Sequence, residues 1–294
     1  MSPSSPSRSN NSPTVDGATG LSAKMGSCSL GTWLGVPVLL HYSFFILVVL
    51  AVIASIQVRS IKYSIYQFVL MGPILFITIV IHEFGHVLMA RRLGGEAKAI
   101  LLWPLGGLAI SSQPSPATHK SSMLVAAAGP ATHIIQIIFW VIYSALVGLA
   151  TPTTYWGTSP AYIANGSIAD FFVMIGLGAI FLNVSLLCFN LFLPAFPLDG
   201  GQIFASVLLM HGCAPEKAGY ITACTSAIIS LALLIWGIVS FVYTQNPFTI
   251  LNITVALWMI SSSYNLYKLV KAGCVRSHPL FSTVPSTPVT TDAV

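Results

Sequence analysis

His82, Glu83 and His86 stand in the order His-Glu-x-x-His, inside a run that carries no other charge until Arg91 and Arg92. Residues four apart on a helix share one face, so both imidazoles can bind one zinc ion while Glu83 reaches a water held there. In a chain with 7 His and three Glu, chance alone yields about 0.002 such matches. The plainer reading is a pair of core histidines with a structural glutamate. It leaves unexplained why ionisable groups, each costing several kcal/mol in apolar surroundings, occupy this run.

A catalytic zinc takes a third protein ligand and keeps one position open. Only Glu83 and Asp199 are acids placed within or at the end of an apolar run. Asp199 follows Pro194, Ala195, Phe196, Pro197 and Leu198, and precedes Gly200 and Gly201. The prolines cannot continue a helix and the glycines allow close backbone approach, so a broken helix end can carry Asp199 inward. Asp199 is therefore the leading third ligand, against the plainer role of a helix-capping Asp. His41 and His133, also in apolar surroundings, compete for the place, whereas His119, His211 and His278 read as loop or interface residues.

The elements that must position these residues follow from composition. The 294 residues are 55% hydrophobic and 6% charged, against about a quarter charged in soluble domains, so most of the outer surface must face lipid. This is an integral membrane protein. Five scattered cysteines exclude a disulfide-stapled chain, and a net charge of +5 serves orientation in the bilayer rather than a nucleic-acid partner. Residues 1–30 and 272–294 are expected as polar, disordered tails around a membrane domain of residues 31–271. The expected fold is an all-α polytopic protein with about six transmembrane helices: 38–58, 65–90, 123–150, 171–196, 220–242 and 248–270. Residues 99–112 contain Pro104, Gly106 and Gly107 and are too short and broken to span, so a re-entrant hairpin is expected after the second helix. With six spans, ten of the 12 Lys and Arg fall on the side of the termini, which places both termini in the cytosol. His86 and His82 then lie about 8 to 14 Å inside that face at helical rise, and the fourth span brings Asp199 to the same face.

These features together resemble the site-2 protease family of intramembrane zinc metalloproteases, which cut membrane-spanning segments of other proteins. The likeness covers about residues 32–270: Gly35 to His41, the His-Glu-Phe-Gly-His motif with Ala90, Arg91 and Arg92, the Gly106–Gly107 loop, Ala128-Gly129-Pro130, and Asn190 through Gly201. The resemblance is to the compact type, without an inserted PDZ-like or appended nucleotide-sensing CBS domain. It implies one zinc ion per chain held by His82, His86 and Asp199, Glu83 as catalytic base, and substrate contacts at Asn190 and at the Gly106–Gly107 loop. Two positions depart from the family pattern. His133 stands where an Asn is common, and Asn190 is one residue further from Pro194, which makes Asn183 an alternative contact for the scissile peptide.

The implied partners are transmembrane protein substrates and the lipid bilayer, with no nucleic acid. Two other classes remain. A metal-ion transporter also holds its ion on broken helices, but it needs ligands across the full depth of the membrane, and here they cluster at one side. A catalytically silent adaptor of the same family would not need Glu83.

Overall fold

The computed structural model describes residues 26–103, 106–111, 118–150, 160–244 and 249–282. Two strands come first, β1 (Ser27–Trp33) and β2 (Val36–His41), paired antiparallel. Gly35 turns the chain between them at φ 75°, a left-handed conformation that suits a residue without Cβ. An apolar helix follows, α1 (Ser43–Ser55), continued by a 3-10 turn over Ile56–Val58. Next come α2 (Ile61–Val69), a π-helical turn over Leu70–Ile74, and α3 (Leu75–Arg92). Pro73 lies in the π turn; proline has no N–H to give an α-helical ladder, and the wider turn absorbs that loss without ending the helix.

Strands β3 (Ala97–Trp103) and β4 (Gly106–Ser111) form an antiparallel hairpin. β3 also pairs parallel to β2, with Val38, Leu39 and Leu40 opposite Ile100, Leu101 and Leu102, giving a four-stranded sheet in the order β1-β2-β3-β4. The expectation of an all-α protein is thereby corrected. Residues Val38–His41, expected at the start of the first span, belong to β2, and the hairpin expected after the second helix is present as β3 and β4, half of this sheet. Val36, Val38, Leu40, Ile100 and Leu102 pack against Phe44, Leu75, Ile79, Phe84 and Val87, so the sheet covers the face of α3 beside the His-Glu-x-x-His motif.

The remaining helices are α4 (His119–Ala150), α5 (Pro160–Asn165), α6 (Ile168–Phe192), α7 (Asp199–Met210), α8 (Pro215–Thr244) and α9 (Thr249–Lys271). Helix α6 starts with a capping box in which Ser167 and Asp170 satisfy each other's backbone N–H groups. Among the described residues, four helices are long and apolar enough to cross a membrane: Ile61–Arg92, His119–Ala150, Ile168–Phe192 and Pro215–Thr244. Six were expected. The first is shortened to Ser43–Val58 because its opening residues pair as a strand, and α9 is diluted by Ser261, Ser262, Ser263, Asn265 and Lys268. Outward faces of the long helices are apolar, with Ile135, Phe139, Leu149, Ile228 and Trp236 exposed as lipid-facing side chains would be.

Two expected boundaries move. β1 begins at Ser27, inside the expected N-terminal tail. Beyond Lys271, 3-10 turns at Val275–Ser277 and Pro279–Phe281 bury Val275, Leu280 and Phe281 against Phe196, Ala205 and Leu209. Pro104 and most of the two expected tails lie outside the described residues, as do residues 112–117, 151–159 and 245–248.

Candidate metal centre

Helix α3 carries His82 and His86 one turn apart, with their rings edge to face at 4.8 Å and their Nε2 atoms 3.1 Å apart. Asp199 is the first residue of α7, and its Oδ2 lies 3.1 Å from His82 Nε2 and 3.3 Å from His86 Nε2. Three donor atoms thus form a nearly equilateral triangle. Bonds of about 2.0–2.1 Å at tetrahedral angles give ligand-to-ligand edges of about 3.3 Å, which this triangle matches. Glu83, buried on the same helix, keeps a carboxylate oxygen within 4.8 Å of the imidazole nitrogens.

The chemistry of the donor set fits a cation. His86 Nδ1 donates to the carbonyl oxygen of Val125 at 2.8 Å, which leaves Nε2 of the neutral ring with a lone pair. That lone pair faces Asp199 Oδ2, a buried oxygen that accepts no hydrogen bond from the described residues. Two lone pairs at 3.3 Å repel unless a positive charge lies between them. A shared proton or a bound cation would supply that charge, and the N, N, O donor set is one that suits zinc.

Close helix packing makes the geometry possible. Gly85 of α3 meets α4 where an added Cβ would lie 2.6 Å from the Ala128 carbonyl oxygen, and a Cβ on Gly129 would overlap His86 Nε2 and crowd His82 Nε2. Small residues at this crossing bring the backbones together and clear the volume between the imidazoles and α4. On the other side, Gly200 and Gly201 let α7 rest on the turn at Leu193–Phe196, where Cβ atoms would strike backbone. The Phe196 N–H donates to Ser226 Oγ at 2.7 Å, and Ser226 Oγ donates in turn to the Thr222 carbonyl. Helix α8 therefore holds the broken segment that delivers Asp199.

A cavity of about 1030 Å³ opens over the cluster. His82, Glu83, His86 and Asp199 line it together with Asn190, Trp103, Trp236 and Trp258. Asn190 Nδ2 donates to the Leu186 carbonyl at 3.1 Å. Gly106 and Gly107 pair with Trp103 and Leu102 at the tip of the hairpin, and β4 is an edge strand of the sheet. Trp103 stands edge-on to Trp258 of α9 at 5.1 Å.

The competing histidines separate. His41 Nδ1 is 2.5 Å from Ser43 Oγ, apart from the cluster. His133 is buried directly behind His82, its Nε2 3.0 Å from His82 Nδ1, and its Nδ1 is 2.9 Å from Asn183 Oδ1. Asn183 is thus engaged with His133 and is wholly buried, whereas Asn190 faces the cavity. Sequence reasoning passed over the clearance at Gly129, the anchor at Ser226 and the string from His82 through His133 to Asn183. The first had a signal in Ala128-Gly129-Pro130; the others needed the helix pairing.

The sequence model of peptidase family M50 matches residues 71–235. A zinc metalloprotease of Methanocaldococcus jannaschii is 28% identical over 212 residues, covering 70% of this chain and 52% of the relative. Stage IV sporulation protein FB of Bacillus subtilis is 28% identical over 163 residues, 55% of this chain and 48% of the relative. The chain spans about half the length of these relatives. Among solved structures, the site-2 protease from Methanocaldococcus jannaschii superposes with a TM-score of 0.55 at 27% identity, covering 81% of this chain and 94% of that one.

Proposed function

The chain belongs to peptidase family M50, and from that premise we propose that it is an intramembrane zinc metalloendopeptidase, hydrolysing peptide bonds within or near transmembrane segments of other membrane proteins. The observation that carries this reading is the triangle of His82 Nε2, His86 Nε2 and Asp199 Oδ2 beside Glu83, at the floor of a largely apolar cavity.

His82, His86 and Asp199 would hold the zinc ion. When bound, the ion supplies Lewis-acid polarisation of a carbonyl and lowers the pKa of water toward neutrality. Glu83 accepts a proton from the attacking water as oxygen adds to the scissile carbonyl carbon, then delivers it to the departing amide nitrogen as the C–N bond breaks. A membrane helix hides its peptide bonds in its own hydrogen bonds, so the substrate must unwind before it enters the cavity. Asn190 offers a polar contact to the unwound backbone from α6. The Gly106–Gly107 end of the hairpin lies on a strand edge that has no β partner among the described residues, to which an extended segment can add. The same reading puts both termini in the cytosol, the side at which water reaches the cluster.

The test is zinc analysis of the purified protein with Glu83→Gln beside it, using a panel of transmembrane peptides as substrates. The unsubstituted protein cleaves and holds one zinc ion; Glu83→Gln holds zinc and does not cleave. Cleavage retained in Glu83→Gln would sink the mechanism.

A further inference from the structure

His82 has one nitrogen in the metal triangle and the other in a buried string of hydrogen bonds whose direction can be deduced. The string starts at Asn183, where Nδ2 lies 2.9 Å from the carbonyl oxygen of Ala179. A carbonyl only accepts, so the amide of Asn183 is fixed with its NH2 toward Ala179 and its Oδ1 toward His133. Oδ1 also only accepts, so His133 must carry its proton on Nδ1, donated at 2.9 Å. A neutral His133 then presents a lone pair at Nε2. At 3.0 Å that lone pair accepts from His82 Nδ1, which leaves the lone pair of His82 at Nε2, facing Asp199 and His86. Every polar atom in the string has one consistent role, and His133 and Asn183 are 1% and 0% exposed.

We infer that His133 is a positioning residue for the metal centre, holding His82 as the Nδ1–H tautomer, with Asn183 setting the direction of the string. The inference rests on the zinc reading above. His86 reaches the same tautomer through the backbone carbonyl of Val125, so the two metal-facing imidazoles are oriented by different means, one by the main chain of α4 and one by a side chain two turns further along α4. A side chain can be replaced, which makes the role of His133 testable while the other half of the centre stays intact. Partners in this position change metal affinity by about 10- to 100-fold.

The experiment is zinc competition against a chromogenic chelator in detergent, with the visible spectrum of the cobalt-substituted protein as a second readout. His133→Phe fills the space without an acceptor. It is expected to bind zinc about 10- to 100-fold more weakly and to alter the cobalt bands. His133→Gln places an amide oxygen at the reach of the lost Nε2 and is expected to recover most of the affinity. Asn183→Leu should weaken binding in the same direction, and His133→Phe with Asn183→Leu should be no weaker than His133→Phe alone, since both act through one bond. If His133→Phe does not fold, Asn183→Leu and His133→Gln carry the test.

Zinc affinity in folded His133→Phe within about threefold of the unsubstituted protein, with unchanged cobalt bands, overturns the inference; so does a His133→Gln no better than His133→Phe, or fully additive losses in the double variant. A different result tests the premise. Unsubstituted protein that takes up no zinc, or that keeps it after His86→Ala, removes the zinc reading itself.

Discussion

The proposed mechanism gives Glu83 and the three proposed zinc ligands separable work, and single substitutions should show it. General acid–base groups contribute about 10²- to 10⁴-fold in rate, so Glu83→Gln is expected to lose activity by that factor in a peptide-cleavage assay while its zinc content stays near that of the unsubstituted protein. Asp199→Ala removes the oxygen facing both imidazoles and is expected to lose zinc and activity together, as metal analysis after gel filtration would show. At this scale His82, Glu83 and His86 are legible from sequence because helix periodicity alone puts them on one face. Asp199 is legible only because acids are so scarce in apolar runs here. The roles of His133 and Asn183 are not legible, since they depend on α4 and α6 packing side by side, and no local rule brings residues 82, 133 and 183 together.

Between the elements, the centre depends on residues that have no side chain to offer. Gly129→Ala keeps every ligand yet puts a methyl group where His86 Nε2 lies. It is expected to lower zinc affinity at least tenfold, in the range of other supporting substitutions, measurable by the same chelator competition. Ser226→Ala leaves the N–H of Phe196 without its acceptor. A buried unsatisfied group costs about 1–3 kcal/mol, and the thermal midpoint of the purified protein should fall accordingly. The long helices were largely legible, because apolar runs bounded by Arg91 and by the polar loop ending at Ser167 mark them out. The sheet was not. Val36, Val38, Leu39 and Leu40 are all buried, so β2 shows both faces covered and reads as a continuous apolar run, which length and periodicity do not distinguish from the start of a membrane helix.

Across the whole molecule, the distribution of Lys and Arg sets the proposed orientation, which can be tested directly. If both termini lie in the cytosol, as proposed, the exposed Cys274 should resist a membrane-impermeant maleimide in intact cells and react after permeabilisation, with the Cys274→Ser variant identifying the labelled site. Labelling in intact cells would reverse the orientation. Composition alone was enough to place the chain in lipid, whereas the number of crossings was not, because α1 and α9 fall between a spanning helix and a shorter or more polar one.

The end of the described chain folds back onto the part that delivers Asp199: His278 stacks edge-on to Phe196 at 5.6 Å, and Leu280 and Phe281 are buried beside it. For anyone attaching a fluorescent reporter or an affinity tag, the hydropathy profile invites a junction just after α9. A junction there would displace Val275 through Phe281 and loosen the backing of the turn before Asp199, so an inactive fusion would say nothing about the unfused protein. The junction belongs after Phe281.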